Sequence, residues 1–142
     1  MTLVVDASVA VKWFVEEIGS APARALLDRG IPLIAPELIL AEVGNALWKH
    51  GQAGRVSWRQ AERAAIRVGD VFDTLVPLRS LAARAFALAR SFTHPVYDCF
   101  YLALAEMEKA RLVTYDQRLL ACVKDRPLAR RVVFLEASEG VA

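Results

Sequence analysis

The sequence is poor in the residues that build disulfide frameworks and zinc sites. Its 142 residues include two cysteines, Cys99 and Cys122, and two histidines, His50 and His94. Both cysteines stand in apolar, helix-like contexts, which favours buried free thiols over a disulfide. The histidines are too few and too scattered to form a zinc site with these cysteines. We therefore expect that any bound metal is held through oxygen.

Long apolar runs, repeats and linkers are also missing. No run approaches the length of a transmembrane helix. The N-terminus leads directly into an apolar stretch, without the basic region or cleavage site of a signal peptide. We expect a cytoplasmic protein that does not enter a membrane, and the length fits one domain, residues 1–142.

Hydrophobic residues are abundant, at 56% of the chain. This share suits a full core together with some apolar surface for a partner. Four large aromatic residues could contribute to that surface, although for each of them a place in the core is the favoured alternative. They are Trp13, Phe14, Trp48 and Trp58.

Strand-like and helix-like segments alternate along the chain. The strand-like segments are short and apolar on both faces, which is typical of a parallel sheet covered by helices on both sides. The pattern predicts an α/β fold, a three-layer α/β/α sandwich with a central parallel sheet, and a loose tail after Glu136. Strands are predicted at Leu3–Val5, 32–35, Thr74–Val76, Arg111–Thr114 and 132–135, and helices at 9–15, 20–29, 36–50, 58–69, 80–92, 97–107 and 117–124.

One predicted helix carries a single carboxylate near its start. From Val96 to Ala105 every residue except Asp98 is apolar or aromatic, and Pro95 suits a position just before a first helical turn. A helix that is apolar on all sides is a buried helix. Asp98 is therefore either a helix cap or part of a functional site.

Three further acids stand at notable positions. Asp6 and Asp116 follow predicted strands, at the edge of a parallel sheet where ligands bind. Glu42 lies within a predicted helix and shares its face with Asn45, three residues later. Each aspartate alone is more simply explained as an N-cap, and Glu42 alone could equally be a surface residue.

The four acids together predict a metal site. Converging carboxylates repel one another unless a cation lies among them. Oxygen ligands without histidine or cysteine select Mg²⁺, with Mn²⁺ as a possible substitute. A metal held by carboxylates and water, with no other evident nucleophile, suggests hydrolysis of a phosphodiester by metal-activated water.

The charge balance is compatible with a polyanionic substrate. The net charge is +2, and outside the four acids 12 acidic side chains face 18 basic ones. Four arginines recur every four residues through the start and body of one predicted helix. A solvated face is the simpler interpretation of this stripe, and a phosphate-binding face is the alternative. The stripe consists of Arg55, Arg59, Arg63 and Arg67.

Four segments, taken in order, resemble the PIN domain, and more narrowly the VapC-type toxins of type II toxin–antitoxin pairs. No single segment is specific, but their order at this chain length is, and the match runs from about residue 3 to residue 135. The segments are Val5-Asp6-Ala7-Ser8 with residues 11–14, Glu42-Val-Gly-Asn45, Tyr97-Asp98 with residues 101–105, and Val113-Thr114-Tyr115-Asp116.

The resemblance implies a PIN-like fold and a Mg²⁺-dependent endoribonuclease that cuts structured RNA such as tRNA or rRNA. It also implies a homodimer that a cognate VapB-type antitoxin holds inactive. The matched positions imply an acidic quartet in which Asp6 and Asp98 are the principal metal ligands. Glu42 and Asp116 complete this quartet, and the supporting polar positions are Ser8, Asn45 and Thr114.

Three alternatives stay open on the sequence. The chain could be a PIN nuclease of RNA processing without a toxin role, or a non-catalytic α/β binding module whose acids are only caps. A phosphoryl-transfer enzyme or receiver domain is disfavoured, because Asp6-Ala7-Ser8 has no second aspartate beside or near Asp6.

Overall fold

The structure is a computed structural model and describes residues 1–135. The expectation of a loose tail after Glu136 lies outside these residues. Within them, five parallel strands form one sheet in the order β3-β2-β1-β4-β5. The strands are β1 Leu3–Val5, β2 Leu33–Pro36, β3 Thr74–Val76, β4 Arg111–Thr114 and β5 Val132–Phe134.

Helices connect and flank these strands, which confirms the predicted α/β/α class. In the described part of the chain they are α1 Ala7–Ala10, α2 Ser20–Ala25, α3 Leu38–Gln52, α4 Trp58–Val71, α5 Ala82–Phe92, α6 Val96–Met107 and α7 Gln117–Val123. Short 3₁₀ turns lie at Val11–Trp13, Leu26–Asp28, Leu78–Ser80 and Pro127–Arg131.

The strand order creates a crevice beside the first strand. The chain proceeds from β1 through β2 to β3 in one direction, and from β4 to β5 in the other. Because such crossovers are right-handed, the two halves place their helices on opposite faces of the sheet. The connections that leave β1 and β4 therefore diverge at the carboxyl edge of the sheet, the usual position of ligands in open α/β folds.

Two helices extend past the ends predicted for them, at residues 50 and 69, and the glycine near each predicted end lies inside the helix. Helix α3 continues through Gly51 to Gln52, and α4 continues through Gly69 to Val71. A Cβ on Gly51 would lie 2.5 Å from the Trp58 ring, so this position needs glycine for close packing. The chain turns at Gly54, where φ is +74°.

The first predicted helix is shorter than expected. Because Asp6 is its N-cap, α1 begins at Ala7, before the predicted start at residue 9. After Ala10 the backbone continues as a 3₁₀ turn. Ser57 caps α4, in a capping box with Gln60.

The core follows the predicted apolar segments. Helix α6 is buried along most of its length, although Tyr97 and Met107 are exposed at its ends. Cys99 and Cys122 are both free thiols, as predicted, but only Cys99 is buried and Cys122 is half-buried. Trp13 belongs to the core, whereas Trp48 and Trp58 are about half exposed. No helix within residues 1–135 is long and apolar enough to cross a membrane.

Candidate active site

Asp6 lies buried at the carboxyl end of β1, with 5% of its surface exposed. The Ser8 hydroxyl donates to one carboxylate oxygen at 2.6 Å, and the Thr114 hydroxyl donates to the other at 2.5 Å. The Val9 amide donates to the first oxygen at 3.3 Å, so Asp6 is also the N-cap of α1. Ser8 and Thr114 thus contact Asp6 and fix the orientation of its carboxylate.

The environment of Asp6 favours its protonated form. Burial raises the pKa of Asp6 to about 7, and the charge of Asp98 acts in the same direction. The hydrogen bonds from Ser8 and Thr114 oppose this rise in pKa but do not cancel it. A cation beside Asp6 would relieve the same penalty by compensating the buried charge.

Asp116 is connected to Asp6 through hydrogen bonds to Thr114, the last residue of β4. Its backbone amide donates to the Thr114 hydroxyl at 3.0 Å, and this hydroxyl is the one that donates to Asp6. Its side chain accepts from the Arg118 amide at 2.9 Å, so Asp116 caps α7. Asp6 and Asp116 are therefore both N-caps, as the simpler interpretation expected. Capping is compatible with a metal-binding role for the same carboxylates.

Asp98 does not cap its helix. Pro95 occupies the N-cap position of α6, and no side chain makes a capping hydrogen bond there. The Asp98 carboxylate instead lies 2.7 Å from the His94 imidazole. The interpretation of Asp98 as a plain cap is wrong, because its carboxylate contacts His94 and no side chain makes a capping hydrogen bond at the start of α6.

Glu42 joins these acids through a buried tyrosine. The Tyr101 side chain, 1% exposed, donates its hydroxyl to Glu42 at 2.6 Å. Burial raises the pKa of Glu42, and the Asp98 charge adds to this rise, while the Tyr101 hydrogen bond lowers it. Burial also raises the pKa of Tyr101 well above its usual value, with further increases from Glu42, Asp6 and Asp98. Three of the four predicted acids therefore act electrostatically on one hydroxyl.

A pocket of about 860 Å³ opens beside this cluster. Glu42, Asp98 and Asp116 line it together with His94 and Arg118. Asp6 is buried next to the cluster and is not among the described lining residues. Asn45 is exposed and does not line the pocket, so its supporting role stays a prediction.

The donor chemistry of this site fits a hard divalent cation, although the side chains do not form a complete cage. Among residues 1–135, no three histidine, cysteine, aspartate or glutamate side chains lie together closely enough to hold a metal ion. Mg²⁺ commonly binds through one or two carboxylates, with water and substrate phosphate as its other ligands. The mutual repulsion of Asp6, Glu42 and Asp98 is the condition that such a cation relieves.

Sequence reasoning missed three residues at this site. His94 was considered only as a zinc ligand, Arg118 was not considered, and Tyr101 was only part of a motif. A signal existed for Tyr101, because it follows Asp98 by three residues and therefore shares its helical face. The contact between Tyr101 and Glu42 spans 59 positions, and no local pattern indicates it.

The arginine stripe lies outside the pocket. All four of its arginines are exposed, and none is among the described residues that line the 860 Å³ pocket. Arg55 precedes α4, so only Arg59, Arg63 and Arg67 belong to the helix.

Comparisons with known proteins agree with this fold. Residues 3–125 match the PIN domain family. Ribonuclease VapC3 from Pyrobaculum aerophilum is 34% identical over 121 residues, which are 84% of this chain and 92% of that protein. Exonuclease VapC9 from the same organism is 38% identical over 87 residues, 61% of this chain and 64% of that protein.

Solved structures support the same assignment. A crystal structure of a protein from Pyrobaculum aerophilum superposes with a TM-score of 0.68 at 28% identity, over 95% of this chain and 90% of that one. A toxin–antitoxin complex from Klebsiella pneumoniae gives a TM-score of 0.67 at 18% identity, over 92% and 95%, and supports the fold alone. The predicted resemblance is confirmed: this chain belongs to the PIN domain family.

Proposed function

We propose that this protein is a Mg²⁺-dependent endoribonuclease and the toxin of a type II toxin–antitoxin pair. The observation that carries the proposal is that Glu42, Asp98 and Asp116 line one pocket, with Asp6 buried beside it and within range of the Asp98 charge. The names of the relatives, a ribonuclease and an exonuclease of the VapC series, support a nuclease.

The four acids are the proposed metal ligands, with Asp6 and Asp98 as the principal pair. A bound Mg²⁺, or Mn²⁺ in its place, would supply Lewis-acid stabilisation of phosphate charge and a lowered pKa of water. The chain itself supplies orientation. Ser8 and Thr114 hold Asp6, and Tyr101 holds Glu42, each through hydrogen bonds of 2.5 to 2.6 Å.

Two basic groups complete the proposed site. His94 contacts Asp98 and restricts the rotation of that carboxylate. The Arg118 side chain is largely exposed at the pocket and makes only a 3.5 Å contact with Asp116, so its guanidinium is available to a substrate phosphate. Arg118 thus adds a positive charge to a pocket whose acids would otherwise repel RNA.

We also propose a VapB-type antitoxin and a second copy of the chain as protein partners. The support is the apolar surface of the α3–α4 pair, where Trp48 and Trp58 are 52% and 50% exposed and Ile66 is 77% exposed. Apolar groups that form a contiguous exposed patch mark protein interaction sites. The fold neighbour from Klebsiella pneumoniae is itself part of a toxin–antitoxin complex.

The proposal is tested with Asp98→Asn. Because Asp98 does not cap α6, this change removes a charge from the pocket without removing a capping bond. We expect Mg²⁺-dependent cleavage of tRNA and rRNA to fall by about 10²-fold or more, by analogy with the loss of other groups that stabilise developing charge, while circular dichroism and Tm show a folded protein. Asp70→Asn, an exposed aspartate on α4, is the matched control and should cleave like the parent.

Three outcomes would overturn parts of the proposal. Full cleavage by Asp98→Asn would exclude the proposed mechanism. A circular RNA substrate separates the two nuclease types that the relatives' names suggest, because only an endonuclease cuts a molecule without ends. An RNA-processing role without a toxin function would predict that expression of the chain without an antitoxin leaves growth unchanged.

A further inference from the structure

A second pocket, of about 340 Å³, lies at the opposite edge of the sheet. Its lining includes Thr2, which precedes β1, Lys109 and Arg111 at the start of β4, and Arg130 and Arg131, which directly precede β5. These residues lie at the amino ends of three adjacent parallel strands. The proposed catalytic acids lie beyond the carboxyl ends of the same sheet.

The lining of this second pocket is strongly basic. Four of its lining residues are cations, and none of the described lining residues is acidic. They come from two segments that are about 20 positions apart in the sequence, so the fold and not a local charge run brings them together. The nearby carboxylate of Glu106 is held by Arg84 in a two-point ion pair at 2.6 and 2.9 Å, and Arg131 lowers its pKa further.

Like charges that converge on a concave surface favour a bound anion, and the exposed side chains of Lys109 and Arg130 are placed to reach one. We infer that this basic pocket is a second RNA-binding site, which takes phosphodiester groups of the substrate away from the bond that is cut. The inference rests on the proposed ribonuclease function. Arginine is well suited to such a site, because its planar guanidinium matches phosphate oxygens in a bidentate arrangement.

The two pockets are too far apart for a short RNA to occupy both. Five residues of extended chain separate Arg111 from Asp116, about 16 Å at the usual rise along a strand. A path over the protein surface is longer still. An RNA of three nucleotides covers about 10 Å at the rise of a stacked strand, so it fills one pocket, whereas a folded tRNA reaches both. The second pocket should therefore select for large RNA.

The test compares two double variants that lose the same charge. Arg130→Gln with Arg131→Gln alters the basic pocket, and Arg29→Gln with Arg79→Gln is the control, since neither Arg29 nor Arg79 lines it. Binding of a fluorescein-labelled tRNA transcript is measured by anisotropy in EDTA at several salt concentrations. We expect the pocket variant to bind about tenfold more weakly than the control and to lower the salt slope by about two, one for each lost phosphate contact.

Cleavage of a labelled trinucleotide in Mg²⁺ provides the second readout, and its kcat/KM should be the same in both variants, because the bond that is cut lies at the other pocket. Equal tRNA affinity and salt slope in the two variants would overturn the inference, and so would a loss of trinucleotide cleavage in the pocket variant as large as its loss of tRNA binding. If Arg131→Gln does not fold, Lys109→Gln with Arg130→Gln gives the same comparison, because both side chains are exposed. Binding in EDTA decides the second pocket, while Mg²⁺-dependent cleavage by the parent chain separately decides the proposed function.

Discussion

Asp6 caps helix α1 and is also a proposed metal ligand. Its carboxylate accepts the Val9 amide at the start of α1, and it lies within range of the Asp98 charge. Capping requires only one of its two oxygens. The other oxygen is held by Thr114, which brings the segment after β4 to the site.

The raised pKa of Asp6 predicts a pH-dependent stability for the metal-free protein. A shift from 3.8 to about 7 corresponds to about 4 kcal/mol in favour of the protonated form in the folded chain. Because the folded chain holds this proton more tightly, the stabilisation is complete below about pH 4 and is lost as the pH rises through about 7.

Asp6→Asn removes this titration while keeping an oxygen for Val9. In EDTA, we expect the Tm of the variant to gain on that of the parent chain as the pH rises from about 4 to about 8. Glu42, whose pKa is also raised, titrates in both proteins, so its contribution largely cancels in the difference. Parallel curves of Tm against pH would show that Asp6 does not carry a raised pKa.

At the level of elements, helices α3 and α4 pack closely where Gly51 meets the Trp58 ring. The Trp58 ring lies against Gly51, and a Cβ there would come within 2.5 Å of it. Gly44, in the same helix, has open space around the position of its missing Cβ. Both glycines lose the same conformational entropy in the helix, but only Gly51 has a ring against the position of its missing Cβ.

These glycines give a matched pair of substitutions. Gly44→Ala should stabilise the protein by up to about 1 kcal/mol, because alanine favours the helix. Gly51→Ala should gain less or lose stability, since the same gain is offset when the Trp58 ring is displaced. Chemical denaturation measures both free energies of unfolding, and tryptophan fluorescence should shift to longer wavelength in Gly51→Ala alone. Equal stabilisation by the two alanines would contradict the proposed packing role of Gly51.

At the scale of the whole molecule, the sheet separates two regions of opposite charge. Acids cluster where the strands end, and cations line the pocket where three of them begin. The low net charge of +2 conceals this separation. A divalent cation and an RNA would each bind where the local charge favours it.

Metal binding should stabilise the entire domain. A ligand at about 100 times its Kd adds about 2.7 kcal/mol to the stability of a folded protein. We expect Mg²⁺ or Mn²⁺ to raise the Tm of the parent chain, and EDTA to reverse the rise. Asp98→Asn should show little or no rise, and NaCl at the same ionic strength controls for screening. A rise of the same size in Asp98→Asn would place the metal elsewhere.

Much of the fold follows from local patterns in the chain. Short apolar runs such as Leu3–Val5 alternate with helical segments, and this alternation alone determined the parallel sheet and its helical layers. The positions of Asp6 and Asp116 at strand ends followed from the same pattern. Glycine was less reliable as a helix end, because Gly51 serves the packing of Trp58 rather than a turn.

The sequence by itself determined which elements form and which acids stand at the edge of the sheet, because these properties depend on neighbours a few residues apart. Only the tertiary structure decided the contacts of those acids. Thr114 reaches Asp6 across 108 positions, and Tyr101 reaches Glu42 across 59. Such contacts, like the basic pocket at the opposite edge, arise from how the strands are ordered in space, and no local periodicity encodes that order.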